Sequence, residues 1–93
     1  MNAALKKLAA TRLTEIRRQS LERQTGLAWR AEHQFCDGRR WRFDFACLEI
    51  ATAIEIDGGV WTRGRHSRGV GQVADMEKIN TAQLFGWIVL RYT

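Results

Sequence analysis

The stretch from Trp41 to Asp57, WRFDFACLEIATAIEID, constrains this chain more tightly than any other. Its alternation predicts two β-strands joined by a tight turn. Side chains alternate across a strand, so Trp41, Phe43 and Phe45 are expected on one face of the first strand, with Arg42, Asp44 and Ala46 on the other. On the second strand Ile50, Thr52, Ile54 and Ile56 share one face, and Ala51, Ala53, Glu55 and Asp57 the opposite one. One face of the hairpin is then apolar, and the other carries three carboxylates on a bed of alanines. With the turn near Cys47 to Glu49, Asp44 falls directly or diagonally across from Glu55, within about 5–8 Å. Anions this close repel unless a cation sits among them. A divalent, oxygen-seeking metal ion is the economical answer.

Ninety-three residues make one small domain with a modest core. The net charge of +5 and a pI near 10 argue for a polyanionic partner. Cys36 and Cys47 both fall in predicted strands, which reads as a reduced, buried pair in a cytosolic protein. No run is long enough to span a membrane, and the N-terminus lacks the apolar core of a secretory signal.

The expected order is helix, three strands, helix, strand. Residues 3–25 hold neither Gly nor Pro, and Leu5, Leu8, Ala9, Leu13 and Ile16 form one stripe at helical spacing. Gly26 is the stop signal. Lys6, Lys7, Arg12, Arg17, Arg18 and Arg23 lie mostly off that stripe. Glu15 is placed to pair with Arg12 or Arg18. Arg30 to Cys36 reads as a first strand, closed by the turn dipeptide Asp37-Gly38, and the hairpin core spans about 31–57. A basic, Gly-rich loop follows at 58–71, with Arg63, Arg65 and Arg68 around His66, a composition suited to phosphate contact. The second helix is expected over 72–85, with Asp75 and Lys78 a turn apart as a surface pair. The last strand, 86–92, is apolar enough to be central.

These residues bear on three chemistries. One strand carboxylate followed by Glu-x-Asp on the next makes a Mg²⁺ or Mn²⁺ site that would activate water at a phosphodiester. Net positive charge elsewhere would hold the polyanion over it. In the competing structural reading, Asp44 and Glu55 pair with Arg42 and Arg40 on a solvated sheet face. Zinc is weaker: His33 and Cys36 point to opposite faces, Cys47 and His66 are distant, and no Cys-x-x-Cys exists. A Cys47–His66 nucleophilic pair has no local motif behind it.

FDFA followed by AIEIDGGVW, then GRHSRG, DMEKIN and GWIVLR, resembles the PD-(D/E)xK nuclease superfamily. The likeness is to its small single-domain branch, similar to very-short-patch repair endonucleases and phage nucleases, and covers residues from about Glu15 to Thr93. It implies an α/β, three-layer restriction-endonuclease-like core of order α-β-β-β-α-β. A mixed four-stranded sheet would be flanked by helices, with the last strand beside the metal-bearing one. It also implies Mg²⁺- or Mn²⁺-dependent hydrolysis of DNA, and a cytoplasmic protein of bacterial or phage origin acting in DNA repair or recombination. Asp44 matches the first acidic position, Glu55 the second, and Glu15 an acid that many members carry on the first helix. The usual lysine two residues after the second acid is replaced here by Asp57.

The sequence reading is therefore a metal-dependent DNA endonuclease, with structure-specific cleavage one option that the residues leave open. Asp44, Glu55, Asp57 and Glu15 are its expected metal ligands. Lys78 and His66 are expected to assist the chemistry, and Arg63, Arg65, Arg68, Arg17 and Arg18 to hold DNA. A homodimer would cut both strands together. The rivals are a non-catalytic DNA-binding module and an assembly protein that presents its basic first helix to a partner.

Overall fold

The computed structural model describes residues 2–57 and 70–93. The elements come in the expected order: α1 (Ala3–Thr25), β1 (Arg30–Gln34), β2 (Arg42–Cys47), β3 (Thr52–Ile56), α2 (Val70–Leu84) and β4 (Ile88–Tyr92). The four strands form one open mixed sheet in the order β1-β2-β3-β4. The first two pairings are antiparallel and the last is parallel. The residues expected in the basic loop, His66, Arg63, Arg65 and Arg68 among them, lie outside the described residues, as do Gly58 and Gly59.

Local signals explain the helix ends. The Asn2 side chain accepts from Leu5 N at 2.9 Å, which caps the start of α1. Gly26 takes φ +71° and donates its N–H to Glu22 O, the left-handed C-cap that glycine adopts at least cost.

The helices cover opposite faces of the sheet. Ala46 and Ala53 pack with Ala82 of α2, whereas Cys47 and Phe45 pack with Trp29 and with Leu21 of α1. Ala46 and Cys47 are consecutive strand residues and so point to opposite sides. The result is a three-layer α/β arrangement.

Three expectations are corrected. Phe43 and Phe45 do not share a face: Phe43 belongs with Ala82, Phe35 and Trp87, and Phe45 with Leu21 and Trp29. The alternation breaks at Glu32 and Asp44, a pair missing from an otherwise regular β1–β2 register, and Glu32 sits at φ +53°. Second, β4 is an edge strand, not a central one. Third, the stripe on α1 is not core. Leu5, Leu8, Leu13 and Ile16 are all exposed, and no residue of α1 is fully buried. At 1.5 Å per residue a 23-residue helix is about twice as long as five-residue strands, so its first half runs past the sheet.

Strand ends shift as well. β1 stops at Gln34, and the turn through Asp37-Gly38 belongs to a longer connection. The β2–β3 turn falls at Leu48–Ala51, with Ala51 N donating to Leu48 O at 3.2 Å. Cys36 lies in the first connection and Cys47 is buried in β2, both as free thiols.

Candidate active site at the opening of the β2–β3 ladder

The β2–β3 register runs Cys47↔Thr52, Ala46↔Ala53 and Phe45↔Ile54, which brings Asp44 opposite Glu55 at the next step. There the backbone ladder gives way to side chains. Asp44 N donates to Glu55 Oε2 at 3.2 Å, and Ile56 N donates to Asp44 Oδ2 at 2.6 Å. Each carboxylate thus occupies a place that a strand carbonyl would fill. Asp44 lies where both of its neighbouring ladders are interrupted, since its β1 partner is the left-handed Glu32. A non-glycine residue in that conformation costs on the order of 1 kcal/mol or more, and such strain clusters at functional sites.

The two acids open to different sides. Asp44 lines a polar pocket of about 250 Å³ with Thr14, Arg17, Glu32, Phe45 and Ile56. Glu55 is 7% exposed and turns toward α2, where Lys78 Nζ donates to its Oε1. Burial pushes the Glu55 carboxyl above the ordinary glutamate range, and Lys78 pulls it back. The solvated pairing of Asp44 and Glu55 with Arg42 and Arg40 does not form: both arginines are exposed, and the cation beside Glu55 is Lys78.

The other expected site residues are differently occupied. Asp57 gives both oxygens to Arg91, at 2.7 Å from Nε and 2.9 Å from Nη2, and Arg91 also reaches Asp75 at 2.8 Å. Asp75 and Lys78 are therefore not a pair. One binds Arg91 on β4 and the other Glu55 on β3. Glu15 pairs with Arg18 at 2.6 Å, and Arg18 also bridges to Glu22 at 2.8 Å, along α1. The Arg18 guanidinium holds Glu15 below the ordinary carboxylate range. Glu22 is lowered first by the Trp29 backbone N–H and then by Arg18. Arg17 is exposed and lines the Asp44 pocket.

Two residues missed in the sequence matter here. Trp29 is buried and ties α1 to the sheet: its N–H donates to Glu22 Oε2 at 3.0 Å and its indole N–H to Thr25 Oγ1 at 2.9 Å. A lone tryptophan just after a helix stop was the available signal. Glu32 had none, because a positive φ inside a strand leaves no mark in residue type.

The donor set suits a hard divalent cation in kind. Asp44 and Glu55 supply carboxylate oxygens on adjacent strands, and Mg²⁺ is commonly held by one or two carboxylates with water and substrate phosphate completing its shell. Among the described residues no group of three or more His, Cys, Asp or Glu converges. A second pocket, about 460 Å³ between α1 and the apolar face of β3 and β4, is lined by no Asp or Glu side chain.

Comparison of the chain with family models, with curated proteins and with solved structures finds no match. Among the described residues no helix is long and apolar enough to cross a membrane.

Proposed function

We propose that the protein is a Mg²⁺- or Mn²⁺-dependent DNA endonuclease with a restriction-endonuclease-like core. The observation that carries this reading is the Asp44–Glu55 pair at the opening of the β2–β3 ladder, with Lys78 on Glu55. The α-β-β-β-α-β order, and a parallel β4 beside the strand that bears Glu55, also support it.

Asp44 and Glu55 would hold the ion, which when bound supplies charge neutralisation at the phosphodiester and a more acidic water. Their backbone hydrogen bonds hold the two carboxylates at the same step of adjacent strands, and a shared ion would draw together side chains that open to different sides. Lys78 stands where it favours the ionised form of Glu55 against the effect of burial, and so offers from α2 the positive charge that the superfamily's usual lysine would bring from the position of Asp57. Arg17, at the mouth of the Asp44 pocket, is the described cation best placed for a phosphate. Arg63, Arg65, Arg68 and His66 are proposed to complete the DNA contact.

The ion pairs that occupy Asp57 and Glu15 favour a second reading, a DNA-binding module whose acids are structural. A cleavage panel of linear, flap and junction DNAs with Mn²⁺ and with EDTA separates the two. Metal-dependent scission supports the nuclease, and binding without scission supports the module.

A further inference from the structure

The outer side of β4 is unpaired among the described residues. Ile88 N donates to Ala51 O at 2.8 Å, and Tyr92 O accepts from Asp57 N at 2.6 Å. The backbone groups of Ile88, Leu90 and Tyr92 therefore turn toward β3, and alternation directs those of Val89 and Arg91 outward. Natural edges are usually blunted by charge, proline or a bulge. The only charged residue of β4, Arg91, is drawn toward Asp57 and Asp75, on the face where Val89 packs. Ile88, Leu90 and Tyr92 stand on the opposite face, 59%, 40% and 55% exposed.

We propose that this edge pairs antiparallel with β4 of a second copy of the chain, about a two-fold axis through Leu90. In that register Val89 of each copy faces Arg91 of the other, and both pairs exchange their outward N–H and C=O groups in a regular ladder. Leu90 meets Leu90, and Ile88 meets Tyr92, in the non-hydrogen-bonded positions where side chains approach closest. The outward backbone groups and the exposed apolar side chains thus call for the same register, and Ile-x-Leu-x-Tyr is self-complementary under it, as a two-fold interface requires. No charged side chain faces its own kind, because Arg91 sits opposite Val89. The sheet would run continuously through both copies, with the two Glu55 residues on one face and their strands about 14 Å apart. Five residues of edge are a small interface, so the pairing is concentration-dependent.

The test uses the full chain and does not depend on cleavage. Sedimentation velocity across the micromolar range is expected to show a monomer–dimer equilibrium that Leu90→Lys abolishes, with thermal unfolding of the monomer unchanged. In a Cys36→Ser background, Leu90→Cys is expected to form a disulfide dimer on mild oxidation, since facing Cα atoms at a non-hydrogen-bonded pair lie about 4.5 Å apart. Ile88→Cys, which faces Tyr92 of the other copy, is expected to stay uncrosslinked. If Leu90→Lys does not fold, the cysteine pair decides. A monomer throughout the range, a Leu90→Lys dimer as stable as wild type, or equal crosslinking of the two cysteine variants would each overturn the proposal.

Discussion

Asp44 and Glu55 each replace a piece of the β-ladder: the Glu55 carboxylate accepts the Asp44 N–H, and the Asp44 carboxylate accepts the Ile56 N–H. Crowded anions alone would make their removal neutral or stabilising, and the structure reverses that expectation. Asp44→Ala leaves a part-buried N–H without its acceptor and is expected to cost about 1–3 kcal/mol. Asp44→Asn keeps an acceptor oxygen and should lose much less. Urea unfolding of the two variants side by side measures the difference.

Glu55 and Lys78 form a mostly buried pair. Removing one partner of such a pair typically costs about 3–5 kcal/mol, so Glu55→Ala should be more destabilising than Asp44→Ala. Lys78→Met should raise the Glu55 pKa further, because burial already raises it and Lys78 is the main opposing influence. A carboxyl with a raised folded pKa contributes stability below its unfolded pKa, and that stability is lost as pH rises through the folded value. Lys78→Met should therefore steepen the loss of stability above the ordinary glutamate range. It should also move the acid limb of Mn²⁺ binding to higher pH. Titration of Mn²⁺ against pH for both proteins checks the shift.

Asp57 departs from the superfamily pattern, and both of its oxygens are held by Arg91. Asp57→Asn should leave Mn²⁺ affinity near wild type, although position alone suggested a ligand. The pair is partly exposed, so its loss should cost no more than about 1 kcal/mol. A double-mutant cycle between Asp57 and Arg91 isolates that coupling, and calorimetric Mn²⁺ titration tests the affinity.

Changing Arg63, Arg65 and Arg68 together to Ala should lower the slope of log K against log salt for DNA binding, by somewhat under one unit for each phosphate that is no longer neutralised. An unchanged slope would assign DNA binding to Arg17 and the rest of α1.

His33 packs against Trp87 with ring centroids 5.7 Å apart, and burial, then Arg30, hold its pKa below the ordinary histidine range. A depressed pKa gives stability that is present above the unfolded value and lost as pH falls toward the folded one. Melting temperature should therefore fall more between about pH 7 and pH 5 for wild type than for His33→Phe.

The order of elements was legible because each carries its own local signal: Gly26 for a helix end, alternation for β2 and β3, an apolar run for the last strand. The alternation put Asp44 and Glu55 on neighbouring strands, but their register is set by a turn at Leu48–Ala51, later than the Cys47 to Glu49 that the sequence suggested. Other features depend on more than neighbours in sequence. Phe43 and Phe45 part company because Glu32 and Asp44 break the alternation across two strands. The α1 stripe looked like core because periodicity does not measure how far a helix overhangs its sheet. WIVLRY read as a central strand because an apolar edge and a buried strand share one composition. The Lys78–Glu55 and Asp57–Arg91 pairs join separate elements and left no local signal.

The Asp44–Glu55 pair is proposed as a metal-dependent phosphodiester-cleaving centre. Its most direct test is the cleavage rate of wild type and Asp44→Asn on the same DNA across a Mn²⁺ titration, with folding and DNA binding confirmed for both. The expected result is metal-dependent scission by wild type, abolished by EDTA, and none by a folded, DNA-bound Asp44→Asn at any Mn²⁺ concentration. Scission by Asp44→Asn at the wild-type rate, or scission that persists in EDTA, would contradict it.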